Sequence, residues 1–417
     1  MMPRESPYPL VAIEVARQLI TAQLSPLATE MIDIRHPAAL DRVLAEDIVA
    51  AAAIPPAPRS AVDGYALRAA DGLAPRQVIG EITAGGAQLP ALQPGQAARI
   101  MTGGLVPPGA DAVVMVEQTL EADLTLTLQR AAPRAGEAIH TIGQDLAAGE
   151  VVLRRGDTLT YAAIGLLATI GCVQVLVARR PRVAVLATGD EVYEPDADPG
   201  AGGVRDSNRY ALLAAARAAG AETISLGIAR DDLAVQRAAI QDGLARADVL
   251  ITSGGVSMGT RDLIKPLLAE LGTVHFGRVA FKPGKPTMFA TVELPAGRRL
   301  VFGLPGYPVS SLVSFEVFVR PALRRLQGDR TPERPLARVQ LCAPIMPSAD
   351  RPEYQRAVVS FADGQLVARN TGAQGSSRLL SLRDANALLI VPAGIQRRES
   401  GEMLDALLTA PVREDTA

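Results

Sequence analysis

Between Pro181 and Leu326 short apolar runs of buried type alternate with stretches of helical period, a rhythm that few folds accommodate. Val183–Ala187 reads as a buried strand, Arg209–Ala219 as an alanine-rich helix stopping at Gly220, and Thr223–Ile228 as a second strand. Leu233–Ala245 reads as a helix and Val249–Thr252 as a strand that runs into a glycine loop. A further helix ends near Leu271, strands follow around Val274–Ala280, Thr287–Thr291 and Leu300–Phe302, and a long helix covers Val309–Leu326. Strands alternating with helices in this way imply a three-layer α/β sheet, with ligands expected beyond the C-terminal ends of its strands.

The rest of the chain punctuates differently. Residues 8–50 read as helical, from apolar positions such as Val11, Val15 and Leu19. Ala51–Pro58 is an Ala/Pro-rich connector. From about 60 to 150 the runs Gln77–Ile82, Ala97–Met101, Ala112–Val116 and Leu124–Leu128 alternate with turn residues, the mark of a small β-rich module. Leu159–Ala178 is twenty residues without a charge, near the length of a membrane span. It divides instead into a helix Thr160–Ile170, a stop at Gly171 and a β-rich run Val173–Val177, so no membrane association is expected. After the Pro-rich Arg330–Pro335, short strands at Arg338–Cys342, Ala357–Phe361, Leu366–Arg369 and Ala387–Val391 indicate a small β domain. The expected fold is multidomain α/β plus β. Residues 1–50 with 145–178 form an elongated helix-rich domain, 51–144 a β-rich insertion, 179–330 the α/β domain and 331–417 a C-terminal β-barrel.

Composition excludes several functions. The 42 Lys and Arg against 44 Asp and Glu give a net charge of −2, without the basic excess that nucleic-acid binding needs. Seven Tyr, seven Phe and no Trp leave little for a base-stacking surface. Three histidines far apart show no zinc spacing, so any metal would be a hard cation held by oxygen. Two cysteines give no disulfide framework, and Met1–Leu10 lacks the order of a signal peptide, which points to the cytoplasm.

The strongest local motif is the strand-to-loop sequence ending Ser253-Gly254-Gly255-Val-Ser257-Met-Gly259. Glycines let backbone N–H groups approach an anion, and serines add hydroxyl donors. A bare strand-to-helix turn is the competing reading. Pro266 is expected at the first position of the following helix, which leaves Asp262 in the preceding turn. No G-x-G-x-x-G is present, and Pro286 stands where a Walker A loop needs Ser or Thr. Lys282-Pro-Gly-Lys285-Pro286 is a rigid turn presenting two lysines, with Arg278 upstream on the same strand face; these cations suit an oxyanion, or else a solvated basic turn. Carboxylates follow successive strands: Asp190-Glu191, Asp231-Asp232 and Asp262. Converging at strand ends they would bind Mg²⁺; singly, each could equally cap a helix or complete a turn. No Ser-His-Asp or Cys-His set is evident.

Eight ordered blocks then carry a resemblance. They are Ser60-Ala-Val-Asp-Gly-Tyr-Ala66, Arg99-Ile-Met-Thr-Gly103, Pro107-Pro-Gly-Ala-Asp-Ala-Val-Val114, Thr188-Gly-Asp-Glu191, Asp206-Ser-Asn208, Ser253-Gly-Gly-Val-Ser257, Lys282-Pro-Gly-Lys-Pro286 and Gly303-Leu-Pro-Gly-Tyr-Pro-Val-Ser310. The chain resembles the MoeA family, shared with the gephyrin E domain, whose members are molybdopterin molybdenumtransferases. The resemblance implies that adenylylated molybdopterin and molybdate react to give molybdenum cofactor with release of AMP, assisted by Mg²⁺, in a homodimer. It maps Asp63, Thr102, Asp145, Glu191, Asp231, Asp262, Lys282, Arg356 and Ser376 onto family active-site positions. On this reading Ser253, Gly254, Gly255 and Ser257 cradle the phosphates, and Glu191 with Asp262 holds Mg²⁺. Lys282, Lys285, Arg356 and Ser376 face molybdate, and Asn208, Arg278 and Pro286 join the substrate-binding set. Asp63, Thr102 and Asp145 complete the partner subunit's site, and contact with the upstream adenylyltransferase is implied. Arg278, Val62 and Tyr307 depart from the residues common in relatives, but none removes a charged group. Two competing classes are an adenylyltransferase, which ATP dependence would reveal, and a non-catalytic scaffold, against which the retained charged residues argue.

Overall fold

The computed structural model describes residues 8–86, 89–255, 263–348 and 350–414, which group into two compact units. One comprises the chain up to Ala45, Arg155–Thr160 and everything from Gln174; the other comprises Glu46–Arg154 with Tyr161–Val173.

The first unit is built on a six-stranded sheet in the order Glu222–Ala229, Arg182–Thr188, Val249–Ser253, Gly297–Leu304, Met288–Leu294, Thr273–Phe276. The first four strands are parallel, and Met288–Leu294 runs antiparallel between its two neighbours. Alternation along the strands shows why both faces are covered. Val183, Val185, Val249 and Ile251 pack with Leu212, Ala216, Val309 and Val313, while Ala184, Leu186 and Leu250 pack with Ile240, Leu244 and Ile264 on the other side. Helices therefore lie on both faces, the expected three layers. Five C-terminal strands, Leu336–Leu341, Glu353–Ala362, Gln365–Asn370, Ala387–Val391 and Met403–Leu408, close into a barrel, because Glu353–Ala362 pairs with both Gln365–Asn370 and Ala387–Val391. Tyr354, Leu388 and Leu407 of this barrel join the core of the α/β layers.

The second unit holds a six-stranded sheet from Gly64–Leu67 to Thr125–Leu128, apolar on both sides. Gly64 is required there, since a Cβ would lie 2.0 Å from the Val114 carbonyl oxygen of the neighbouring strand.

Three sequence expectations are corrected. Residues 8–50 are not largely helical: one helix spans Ile13–Thr21, burying Ile13, Ala16 and Ile20, while Val15 is exposed. Pro26 follows, and Thr29–Asp33 is a strand paired with Gln174–Ala178. The helix expected to start at Pro266 begins at Ile264, leaving Pro266 in the first turn where its missing N–H costs no helical bond. The long helix is interrupted by a π-helical stretch, Phe315–Val319, between Pro308–Ser314 and Arg320–Leu326. The helix in the uncharged stretch is Tyr161–Thr169, and among the described residues no helix is long and apolar enough to cross a membrane.

Candidate functional site

A cavity of about 690 Å³ opens at the C-terminal ends of the parallel strands, within the usual range for small-molecule sites. The central strand Val249–Ser253 delivers Ser253, Gly254 and Gly255 to its wall. Both glycines are demanded by geometry. Gly254 has φ +92°, and its Cβ would sit 2.9 Å from the Thr188 carbonyl oxygen; Gly255 has φ +65°, and its Cβ would sit 2.7 Å from Ile264 Cγ1. The loop is thus pressed against the end of the neighbouring strand, too closely for a side chain on either glycine.

Asn208 locks this wall. Its Nδ2 donates to Ser253 Oγ at 2.7 Å and to the Gly306 carbonyl at 2.7 Å. Because a carbonyl can only accept, the Gly306 contact fixes the amide orientation. Asn208 opens the helix Asn208–Ala218, anchored by buried Asp206, which accepts from Arg209 N at 2.9 Å and Arg209 Nε at 2.7 Å. The Asp206–Arg209 spacing was the sequence signal for this pair, and sequence reasoning missed its role.

On the acidic side, Glu191 and Asp231 line the cavity. The Glu191 carboxylate folds over Gly189, where a Cβ would lie 2.5 Å from Oε2. Asp231 Oδ1 accepts weakly from Gln236 Nε2, and Asp231 N donates to Asp190 Oδ1 at 3.1 Å. Asp232 is a helix cap, accepting from Val235 N at 2.9 Å. Ser257 and Asp262 lie outside the described residues. Among the described residues no three Asp, Glu, His or Cys side chains converge as a metal cage.

Pro286 lines the cavity. Lys282 Nζ lies 3.4 Å from Glu353 Oε2 of the barrel, and the two segments also exchange backbone bonds. Among the described residues the side chains of Arg278 and Lys285, both half-buried, find no ion-pair partner. Arg356 is fully buried: Nε donates to Ser381 Oγ at 3.1 Å, Nη2 to the Gly375 carbonyl at 3.3 Å, and Nη1 has no partner among the described residues. Burial pushes its pKa down to about 10, with Glu353 opposing, so it stays charged at neutral pH. It underpins the segment in which the Ser376 carbonyl accepts from Val309 N and Ser377 lines the cavity. Ser377 was not singled out from sequence; adjacency to Ser376 was the only signal.

In the second unit Asp63 and Thr102 come together, since Asp63 Oδ1 accepts from Thr102 N at 2.6 Å and Thr102 Oγ1 at 2.9 Å. Those two bonds hold the Asp63 carboxyl below the usual range. Asp145 is exposed, its N–H tied to the Ile54 carbonyl.

Three family patterns match in order: the MoeA N-terminal region (domain I and II) over residues 11–171, a probable molybdopterin binding domain over 184–325, and the MoeA C-terminal region (domain IV) over 338–409. A molybdopterin molybdenumtransferase of Bacillus subtilis is 37% identical over 90% of this chain and 88% of its own length. A gephyrin of Dictyostelium discoideum is 36% identical over 98% of this chain, which spans only 64% of that protein. A solved molybdopterin biosynthesis MoeA protein from Pyrococcus horikoshii superposes with a TM-score of 0.83 at 28% identity, covering 96% of this chain and all of its own.

Proposed function

The chain belongs to the MoeA family, and from that membership we infer that it is a molybdopterin molybdenumtransferase, inserting molybdate into adenylylated molybdopterin with release of AMP to form molybdenum cofactor. The observation that carries this reading is the cavity at the strand ends. It offers a glycine loop shaped for close approach of phosphate, two carboxylates and Arg205, all within one compact unit.

In this reading the chain's residues divide the work. The Ser253–Gly255 loop takes the phosphate region, and Asn208 keeps Ser253 and the Gly306 backbone in register with it. Lys282, Lys285 and Arg356 present positive charge to molybdate, with Arg278 and Ser376 beside them in the sequence segments that carry these groups. Arg356 Nη1, buried and unpartnered, is a donor that a dianion would satisfy.

The donor chemistry fits Mg²⁺. Glu191 and Asp231 supply hard carboxylate oxygens at the cavity, and Mg²⁺ is commonly held by one or two carboxylates together with substrate phosphates. Glu191 would hold it, with Asp262 as the second ligand. Its role when bound is to offset phosphate charge as the anhydride bond breaks.

We further place the protein in the cytoplasm as a homodimer, with Asp63, Thr102 and Asp145 completing the partner subunit's site, and with transient contact to the upstream adenylyltransferase. Cys172 and Cys342, neither of which forms a disulfide among the described residues, support a reducing compartment. The four-part domain division, 1–50 with 145–178, 51–144, 179–330 and 331–417, belongs to the same proposal. The test of the function is AMP release from adenylylated molybdopterin with and without molybdate. Molybdate-dependent release is expected, without ATP; release that requires ATP, or none with either, contradicts the reading.

A further inference from the structure

Tyr307 is the one aromatic among the residues that line the cavity. The residue is 61% exposed, and among the described residues its side chain makes no ring contact or hydrogen bond. The neighbouring tyrosines are already engaged: the Arg230 guanidinium lies 5.2 Å from the Tyr193 ring centroid, and that of Arg209 lies 4.8 Å from Tyr210. The backbone beneath Tyr307 is held firmly. Pro305 and Pro308 flank it, the Gly306 carbonyl accepts from Asn208, and the Tyr307 carbonyl accepts from Ser311 N at 3.0 Å in the first turn of Pro308–Ser314. The same Asn208 amide holds Ser253, so the segment bearing Tyr307 and the glycine loop are fixed to each other. A Cβ on Gly306 would lie 3.8 Å from Gly254 Cα, which confirms how closely the two backbones approach.

An exposed ring carried by a firmly held backbone on the wall of a cavity, beside a loop suited to phosphate, has the chemistry to receive a flat base. We propose that Tyr307 is the stacking residue for a planar heteroaromatic ring of the bound substrate. This rests on the molybdenumtransferase reading, whose substrate carries two such rings, adenine and pterin. Tyrosine suits the task because it offers a large rigid face with few rotamers to freeze. Glu191, Asp231 and the Ser253 loop would serve the phosphates and their cation and offer no face to a base; the other planar group of the lining, the Arg205 guanidinium, is tied by its Nε to the Pro195 carbonyl at 3.0 Å.

The test uses the full-length protein and measures affinity by calorimetry for AMP, ribose 5-phosphate and free pterin, in wild type, Tyr307→Phe and Tyr307→Asn. Asparagine is a favoured residue at the start of a helix, so Tyr307→Asn removes the ring without removing the helix start. Tyr307→Phe is expected to bind as wild type. Tyr307→Asn is expected to lose about tenfold in affinity for AMP or for pterin, the size of a base–aromatic stack, with ribose 5-phosphate unchanged. Loss of AMP affinity places adenine on the ring, and loss of pterin affinity places the pterin there. Wild-type affinity of Tyr307→Asn for both rings, an equal loss for ribose 5-phosphate, or failure of wild type to bind either ring overturns the proposal. These are binding measurements, so a wild-type protein that bound but released no AMP would refute the assigned reaction and leave the stacking result standing.

Discussion

Arg356 combines full burial with a guanidinium nitrogen that finds no hydrogen-bond partner among the described residues. A buried charge is costly unless it is compensated, and Glu353 is the one carboxylate that raises its pKa. A bound dianion would supply the missing compensation. Arg356→Lys should therefore act twice. The planar fork reaching Ser381 Oγ and the Gly375 carbonyl becomes a point charge, which should cost about 1–3 kcal/mol of stability, read as a lower denaturation midpoint. In the folded variant the molybdate concentration for half-maximal AMP release should rise about tenfold, the value of one charge-assisted hydrogen bond. AMP affinity should barely move. A folded Arg356→Lys protein with wild-type molybdate dependence would remove Arg356 from the molybdate subsite. At this scale the sequence exposed charge but not environment. Arg356 could be marked as a site cation, yet its burial depends on strand pairing with Ala387–Val391, where it lies opposite Leu388, and on the segment through Ser381, both distant consequences of the barrel.

The strand Val249–Ser253 positions the glycine loop, and its entry is fixed by Asp248. That carboxylate accepts from Arg179 Nη1 and Nη2, each at 2.7 Å, and from Arg182 N at 2.8 Å. Burial pushes its pKa up, but the Arg179 bonds and the Arg182 N–H more than offset this, and the net position is below the ordinary carboxylate range. A carboxyl depressed in the folded state stabilises above its unfolded pKa, and the contribution is lost as pH falls through the folded value. Asp248→Asn should thus cost about 1–3 kcal/mol at pH 7, and the gap to wild type should shrink as pH drops below about 4. Urea midpoints at pH 7, 5 and 3 measure it; a gap of the same size at pH 3 would show that charge is not what Asp248 contributes. Arg182–Thr188 and Val249–Ser253 were legible because each carries a buried apolar run rich in Val, Ile or Thr, and Leu233–Arg246 because Asp232 caps its start. The N-terminal segment was not, because Thr29–Asp33 is a strand only through pairing with Gln174–Ala178, far along the chain. Its own pattern, Thr-Glu-Met-Ile-Asp, has too few apolar residues to declare a strand. The π-helical stretch Phe315–Val319 likewise leaves no mark in a pattern that is apolar apart from Glu316.

At the scale of the whole molecule, the residues assigned to catalysis fall into two sets in separate compact units. Glu191, Asp231, Lys282 and Arg356 belong to one, and Asp63, Thr102 and Asp145 to the other. Asp63 is held ionised by Thr102 and is exposed, as a group poised to meet something outside its own fold would be. If the proposed homodimer completes each site with the partner's second set, two inactive variants should rescue one another. Asp63→Asn leaves Glu191 intact, and Glu191→Gln leaves Asp63 intact, so a mixed dimer holds one site with both lesions and one with neither. Equal mixing gives half mixed dimers, and about one quarter of wild-type sites should be active in a twofold-symmetric assembly. The chains must be unfolded and refolded together, or co-expressed with separate tags, so that subunits exchange. Molybdate-dependent AMP release is then compared for each variant alone, for the mixture, and for wild type at the same concentration. Recovery near one quarter supports sites shared between chains. Two inactive variants that stay inactive after verified exchange would place both sets in the service of the same chain's site, and the dimer would then have to be explained by something other than catalysis.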